Sequence, residues 1–144
     1  MPNFHCTVVS INGNGILIEG PSGSGKSSLA LGLLERAEAK SISSSLVCDD
    51  QALLEARDGR LIAKAPSTIA GKIEVHGFGI VDLPFSESVE VNLVARLVSE
   101  LDLERMPKPK TETKLEITIP RIDVPAKHEE QAKRIIFAWL DQFA

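Results

Sequence analysis

Apolar residues recur along this chain at two spacings, which predict strands and two helices in an α/β fold. Alternating or continuously apolar runs are typical of strands, whereas apolar positions three and four residues apart are typical of helices. One helix is predicted over residues 27–39 and a second over residues 126–143, where the apolar stripe includes Ile136 and Trp139. The predicted strands cover residues 7–11, 15–19, 46–48, 89–98 and 115–119.

Glycine marks the turns between several of these elements. Asn12-Gly13 and Asp58-Gly59 are typical of two-residue hairpin turns, so each is expected to join two antiparallel strands. Gly77 and Gly79 lie two residues apart and predict a bend between two short strands. Polar loops are predicted at residues 101–113 and, ahead of the last helix, at residues 120–125.

Length and composition limit the classes of function. A chain of 144 residues predicts a single domain spanning residues 1–144. The net charge of −4 and the aromatic content of 4% argue against a nucleic-acid surface, which would be basic or rich in stacking rings. There is no run of about 18 apolar residues and no signal-peptide pattern. We therefore expect a cytoplasmic protein that binds neither nucleic acid nor a membrane.

The strongest functional motif lies between the strand at residues 15–19 and the first helix. It has the P-loop pattern, G-x-x-x-x-G-K-S, in the strand–loop–helix context that this pattern requires. Its glycines let backbone N–H groups surround phosphate oxygens, and the helix N-terminus adds positive partial charge. Lys26 is expected to reach the β- and γ-phosphates, and Ser27 to offer its hydroxyl to Mg²⁺. The predicted nucleotide-binding residues are Gly20, Pro21, Ser22, Gly23, Ser24, Gly25, Lys26, Ser27 and Ser28.

Two further groups are expected near the phosphates. Asp49-Asp50 follows the strand at residues 46–48, and carboxylates at the end of a strand next to the P-loop strand suit metal binding or general-base catalysis. His5 starts the first strand of the Asn12-Gly13 hairpin. Because the second strand of that hairpin ends at the P-loop, the antiparallel first strand begins beside it. A solvated turn for the two acids and an ordinary surface position for His5 are the alternatives.

Several of these stretches together resemble the HPr kinase/phosphorylase family. His5, the glycine hairpin, the P-loop, Asp49-Asp50 and the run I-E-V-H-G-F-G-I at residues 73–80 occur in the order and near the spacing found there. That last run resembles the family's E-I-R-G-L-G-I-I signature. The resemblance covers nearly the whole chain and corresponds to the family's C-terminal catalytic domain. It implies a P-loop kinase fold with a mixed β-sheet, which the family shares with phosphoenolpyruvate carboxykinase.

The resemblance also implies roles for individual residues. Asp50 resembles the base that takes the proton from a target serine, and His5 resembles its partner in the catalytic site. Arg105 resembles the family's mobile catalytic arginine. The implied catalytic residues are His5, Lys26, Asp50 and Arg105, and the implied Mg²⁺ ligands are Ser27 and Glu74.

A substrate and a partner follow from the same resemblance. Members of the family use ATP and Mg²⁺ to phosphorylate a serine of the phosphocarrier protein HPr, and can also remove that phosphate. The resemblance therefore implies an HPr-like carrier as partner, a role in the phosphotransferase system and carbohydrate metabolism, and a homo-oligomer, which in the family is a hexamer.

Two positions and one segment depart from the family pattern and keep other functions open. Ser28 stands where the family usually has glutamate, and His76 where it usually has arginine. The segment at residues 120–125 only loosely resembles the family's P-V-R-P-G-R run, which is tied to dephosphorylation. A nucleotide-binding sensor with reduced catalysis and a small-molecule kinase are therefore the alternatives, although no arginine-rich lid segment is present. A hydrolysing ATPase or GTPase is less favoured because the chain lacks N-K-x-D.

Overall fold

The computed structural model describes all 144 residues and contains eleven strands and two α-helices. The helices are α1 (Lys26–Ala39) and α2 (Glu129–Phe143), and neither is long and apolar enough to cross a lipid bilayer. The strands are β1 (Asn3–Phe4), β2 (Thr7–Ile11), β3 (Asn14–Glu19), β4 (Ser44–Cys48), β5 (Ala52–Arg57), β6 (Arg60–Lys64), β7 (Lys72–Val75), β8 (Gly79–Asp82), β9 (Val89–Val98), β10 (Lys110–Lys114) and β11 (Ile117–Pro125).

Nine of the strands form one mixed sheet around the parallel pair β3 and β9. Strand β11 runs parallel to the second half of β9, while β2 lies antiparallel between β3 and β4. Since β3 and β4 are both antiparallel to β2, they point the same way and both end beside its first residues. There Thr7 pairs with Ile18, and Val8 with Cys48. The segments that follow β3 and β4 therefore meet the segment that precedes β2, although β4 is not the direct neighbour of β3 that the sequence suggested.

Apolar side chains pack on both faces of this sheet, which explains the continuously apolar run in β3. Ile16 and Ile18 belong to a cluster of 17 buried residues that includes Leu33 of α1 and Ile136 of α2. Leu17 points the opposite way, into a cluster of 12 buried residues formed largely with strands β4, β5 and β6. The alternation along β3 thus contributes to both cores.

The hairpins predicted from glycine are confirmed. Asn12 and Gly13 have φ angles of 52° and 81°, and Asp58 and Gly59 have φ angles of 53° and 76°. Two successive positive φ angles match the right-handed twist of paired strands. Strands β7 and β8 form a separate two-stranded antiparallel sheet, as the predicted bend between two short strands requires.

The last third of the chain differs from the sequence prediction. Strand β10 begins at residue 110, inside the polar loop predicted at residues 101–113, and β11 runs through the predicted loop at 120–125. Helix α2 begins at Glu129 rather than at residue 126. The hairpin turn is Leu115–Glu116, where φ is 49° and 67°. A left-handed conformation costs such residues about 1–2 kcal/mol each, and pairing of β11 first with β10 and then with β9 offsets this cost.

A half-buried network of charges joins the ends of β3, β9, β10 and β11. Arg96 donates hydrogen bonds to Glu19 (Nε to Oε2, 2.7 Å) and to Glu112 (Nη2 to Oε1, 2.7 Å), and Lys114 Nζ lies 2.9 Å from Glu19 Oε1. Burial raises the pKa of Glu19, but the hydrogen bonds from Lys114 and Arg96 outweigh burial, so its pKa lies below its ordinary value. The network continues through Lys110, Arg121 and Asp123.

We expect Glu19→Gln to lower the free energy of unfolding by about 1–3 kcal/mol at neutral pH, because Lys114 would lose its carboxylate partner in a half-buried site. The folded-state pKa of Glu19 is lowered, so this contribution is present above the ordinary value of 4.5. It is lost as the pH falls through the folded-state pKa. Urea unfolding of the two proteins should therefore converge in acid.

The matched control for this variant is Glu87→Gln, since Glu87 is exposed and belongs to no ion pair. Its free energy of unfolding should change by less than about 0.5 kcal/mol at every pH. A difference between wild type and Glu19→Gln that stays constant from neutral pH into acid would show that the Glu19 charge does not stabilise the fold.

Candidate functional site

Two glycines with left-handed φ angles shape the loop that joins β3 to α1. The φ angles are 77° at Gly23 and 101° at Gly25. A Cβ atom at either position would have no neighbour within 4 Å, so the backbone angle rather than crowding requires glycine there. Gly25 is the N-cap of α1, and the helix begins at Lys26. The first N–H groups of α1 have no partner within the helix and can therefore donate hydrogen bonds to a ligand held in this glycine-rich loop.

Two buried polar groups in the glycine-rich loop lack the partners that burial normally requires. Lys26 is 7% exposed, and its Nζ donates only to the carbonyl oxygens of Gly20 (3.1 Å) and Pro21 (3.3 Å), with no carboxylate at ion-pair distance. The Oγ of Ser24 is buried and has no hydrogen-bond partner. Buried charges and hydroxyls are normally paired. Of the two, only Lys26 lines the adjacent cavity, where a bound anion such as phosphate would give its charge a partner.

Asp49 joins three separate elements through its carboxylate. Thr7 Oγ1 on β2 and Ser27 Oγ on α1 both donate to Asp49 Oδ1, at 2.9 and 2.6 Å. The backbone N–H of Glu74 on β7 donates to Asp49 Oδ2 at 3.2 Å. Asp49 is 8% exposed, so these donors replace the water that its carboxylate loses. The sequence marked the acid pair but did not single out Asp49, because only the sheet order shows that Thr7 and Ser27 flank it.

Asp50 turns its carboxylate towards His5 instead. Its φ of 67° is left-handed, and its N–H donates to Thr7 Oγ1 at 3.1 Å. His5 Nε2 contacts Asp50 Oδ1 within hydrogen-bonding distance, and both side chains are more than half exposed. His5 lies in the bend between β1 and β2, two residues before β2 starts, rather than at the first residue of that strand. The structure thus brings His5 and Asp50 together as predicted.

One open cavity of about 750 Å³ collects most of the predicted site residues. It lies between the glycine-rich loop, the segment after β4 and the hairpin of β7 and β8, and we call it the loop cavity. Gly20, Pro21 and Ser24 lie in the loop without lining the cavity. The predicted residues that line it are His5, Ser22, Gly23, Gly25, Lys26, Ser27, Ser28, Asp50 and Glu74.

The loop cavity also contains a cation that sequence reasoning missed. Lys127 lines it and forms no ion pair, and its φ is 61°. The sequence placed Lys127 inside the last predicted helix. In the structure it follows the end of β11 and precedes α2, because β11 extends to Pro125. No local signal identifies this position, since it depends on the pairing of β11 with β9.

Arg105 is the predicted site residue that the structure places elsewhere. It lies in the segment between β9 and β10 and lines a separate groove beside α2, and it is absent from the lining of the loop cavity. Within one chain the structure therefore does not bring Arg105 to Lys26 or Asp50. Its catalytic role stays a prediction drawn from the family pattern.

The two cysteines do not contribute a nucleophile to the site. Both are free and buried. Burial raises the pKa of the Cys6 thiol to about 12 and also raises that of Cys48. Only the thiolate is a good nucleophile, so both residues behave as core side chains at neutral pH.

Comparison with known proteins identifies the family. The family model described as the HPr Serine kinase C-terminal domain matches residues 2–144. The chain belongs to this family. An HPr kinase/phosphorylase of Clostridium tetani is 41% identical over 81 residues, which is 56% of this chain and 25% of that protein. The corresponding protein of Limosilactobacillus reuteri is 30% identical over 137 residues, which is 87% of this chain and 41% of that protein.

A solved structure extends the similarity to the whole fold. The Hpr(Ser) kinase/phosphatase from Coxiella burnetii superposes with a TM-score of 0.83 at 27% identity, covering 99% of this chain and 98% of that chain. The α/β fold with a mixed sheet is therefore the fold of this family, as the sequence resemblance implied. The chain spans between a quarter and about two fifths of the length of the two curated relatives described above.

We expect Thr7→Val to destabilise the protein by about 1–3 kcal/mol, because it removes a fully buried hydroxyl that donates to Asp49 and accepts from the Asp50 N–H. Urea unfolding at neutral pH would measure this loss. Thr113→Val is the matched control, since the Thr113 hydroxyl is exposed and bonds only Thr118. The control should change by less than about 0.5 kcal/mol. Equal effects of the two variants would contradict a structural role for the Thr7 hydroxyl.

Proposed function

We propose that this protein is an ATP-dependent serine kinase that phosphorylates an HPr-like phosphocarrier protein. The observation that carries the proposal is the placement of Lys26, buried without a carboxylate partner, at the same end of the sheet as the acid pair Asp49-Asp50. Phosphoryl transfer requires held phosphates, charge neutralisation and a base for the acceptor hydroxyl. The choice of an HPr-like protein as acceptor follows from the family match and from the names of the relatives.

The glycine-rich loop acts in this proposal as a P-loop. Lys26 and the N–H groups around Gly23 and Gly25 hold the phosphates of ATP, and the residues from Gly20 to Ser28 form the cradle. Ser27 and Glu74 would hold Mg²⁺, with Asp49 fixing the Ser27 hydroxyl. When bound, Mg²⁺ neutralises charge on the β- and γ-phosphates.

Asp50 receives the proton of the acceptor serine. Its carboxylate is exposed to the loop cavity and makes a single side-chain contact, to His5, so one oxygen remains for the incoming hydroxyl. As the serine oxygen bonds to the γ-phosphorus, the bond from that phosphorus to the ADP oxygen breaks and the serine proton passes to Asp50. His5 orients Asp50, and Lys127 adds a cation to the wall of the cavity where charge develops.

The surface around the cavity mouth favours a protein acceptor over a small metabolite. Ile80 lines the loop cavity while remaining 62% exposed, and Phe78, at the turn of the same hairpin, is 79% exposed. Large exposed apolar side chains beside an open cavity are typical of a surface that contacts another protein. A small-molecule kinase would be expected to enclose its substrate.

Further properties follow the family and belong to the same proposal. These are removal of the phosphate from the carrier, a role in the phosphotransferase system and carbohydrate metabolism, a cytoplasmic location, a homo-oligomeric assembly and an architecture shared with phosphoenolpyruvate carboxykinase. We propose that residues 1–144 form one catalytic domain that suffices for phosphoryl transfer.

The deciding experiment is a phosphotransfer assay with ATP, Mg²⁺ and the HPr-like protein of the same organism. Intact mass and phosphosite mapping should show one phosphoserine on the carrier that is absent with Lys26→Ala. Addition of inorganic phosphate to the phosphorylated carrier then tests the reverse reaction. Clear ATP binding without transfer would favour a sensor instead, and Ser28 and His76 would be the first residues to restore to the family pattern.

We expect Asp50→Asn to reduce kcat by about 10²–10⁴-fold while ATP binding is retained, because the amide cannot accept the serine proton. Asparagine tolerates the φ of 67° at this position, so the backbone should not change. Asp58→Asn is the matched control, since Asp58 is an exposed aspartate with a φ of 53° in the turn between β5 and β6. If Asp50→Asn kept full transfer activity, the base would have to be another group.

We expect Phe78→Asp to raise the KM for the carrier about tenfold or more, with kcat and the KM for ATP unchanged, because it places a charge in the apolar contact. Leu101→Asp is the control, since Leu101 is 94% exposed but lies after β9 rather than on the hairpin of β7 and β8. A fall in kcat without a change in KM would show that Phe78 does not contact the acceptor.

A further inference from the structure

A second large concavity lies between α2, β11 and the segment that joins β9 to β10. Its volume is about 960 Å³, and it shares no lining residue with the loop cavity. We call it the Trp139 groove. Its size is within the range of sites that bind small organic molecules.

An aromatic and aliphatic wall forms one side of the Trp139 groove. Trp139 and Phe143 lie on successive turns of α2, with ring centroids 5.9 Å apart, and Ile135 continues this wall. Phe143 is 75% exposed. Leu103 and Ile122 face them from the other elements of the groove. The two rings are tilted by 38° relative to each other, so the wall offers a shallow apolar surface for a ring or a short hydrocarbon chain.

The charges of the groove leave an excess of positive charge. Four cations and two carboxylates line it. Lys110 Nζ lies 2.6 Å from Asp123 Oδ2 and 3.5 Å from Glu104 Oε1, so the two carboxylates already have a cationic partner. Arg121 is also paired, through its Nε, with Asp123 at 3.1 Å.

Arg105 and Lys108 are the two cations of the groove that form no ion pair. Both are exposed and belong to the segment between β9 and β10, opposite the aromatic wall. Guanidinium and ammonium groups that flank an apolar surface complement a ligand with an anionic head and an apolar body. Arg105 thus lies where its unpaired charge can bind an anionic group in the Trp139 groove rather than in the loop cavity.

We propose that the Trp139 groove is a second ligand site, distinct from the nucleotide site, for a small organic anion with an apolar body. The apolar body packs against Trp139 and Phe143, and the anionic head lies between Arg105 and Lys108. The site is independent of phosphoryl transfer, so it can be tested whether or not the kinase activity is found.

The protein carries its own reporter for this site, because Trp139 is its sole tryptophan and it has no tyrosine. Titration with 4-phenylbutyrate should change the Trp139 fluorescence along a saturable curve. The same titration with 4-phenylbutylamine, which has the same apolar body and a cationic head, should give no saturable change. Saturating MgATP should leave the affinity for 4-phenylbutyrate unchanged, because the two cavities share no residue.

Charge reversal at Lys108 provides the matched pair of variants. Lys108→Glu should weaken binding of 4-phenylbutyrate by about three- to tenfold, since it replaces an attractive charge by a repulsive one at an exposed position. Lys64→Glu, at an exposed and unpaired lysine on β6, should leave the affinity unchanged. Urea unfolding should show that both variants remain as stable as the wild type.

Four results would overturn the proposal. Equal binding of the amine, or equal affinity in Lys108→Glu, would show that the groove does not select an anion. Competition by MgATP would place the probe in the loop cavity. Absence of saturable binding would show that the groove does not bind such an anion. If the Trp139 fluorescence then also changed with protein concentration, a second copy of this chain would be what covers the groove.

Discussion

The carboxylate of Asp49 is the contact on which the site depends. It accepts hydrogen bonds from β2, from α1 and from the backbone of β7, and these elements have no other shared polar contact at this end of the sheet. Because Asp49 is buried, loss of any one donor would leave part of a charged group unpaired, at a cost of about 1–3 kcal/mol. The position of Ser27, and therefore the start of α1, is thus coupled to the end of β4.

The strand order makes this contact possible. Strand β2 lies between β3 and β4 and runs opposite to both, so its first residues lie next to the last residues of β3 and β4. The residues before β2 therefore meet the residues after β3 and β4. On the other side of β3, the network around Arg96 and Glu19 fixes the ends of β9, β10 and β11. Strand β11 then delivers Lys127 to the same cavity. The charges around that cavity are therefore set by sheet topology rather than by neighbours in the sequence.

Local chemistry predicted those parts of the fold where one residue type has a strong backbone preference. Asn12-Gly13 and Asp58-Gly59 favour positive φ angles, and both turns occur as expected. Leu115–Glu116 adopts the same kind of turn without any such preference, because long-range pairing of β11 with β10 and β9 imposes it. That pairing was not visible in the sequence, so the strand at residues 120–125 and the position of Lys127 in the loop cavity were missed.

In the predicted site, too, local motifs were predicted correctly, whereas contacts that depend on strand order were not. The glycine-rich loop and the position of His5 beside it followed from the motif and from the hairpin. The approach of His5 to Asp50 was implied by the family resemblance. The link between Asp49 and Ser27 required knowledge of which strands are neighbours. Arg105 was assigned by family resemblance alone, and its segment packs beside α2 instead. A residue on a long connection has few local constraints, so its position is the least predictable from sequence.

The carboxylates of Asp49 and Asp50 point in different directions because the backbone of Asp50 is left-handed. Asp49 is buried and its carboxylate accepts hydrogen bonds from three donors, so it joins β2, α1 and β7. Asp50 has a left-handed φ of 67°, which directs its side chain out towards His5 and the cavity. The Thr7 hydroxyl joins both residues, since it donates to the Asp49 carboxylate and accepts from the Asp50 N–H. The strained residue is therefore stabilised by the same hydroxyl that holds its neighbour, and the Asp50 carboxylate remains exposed to the loop cavity.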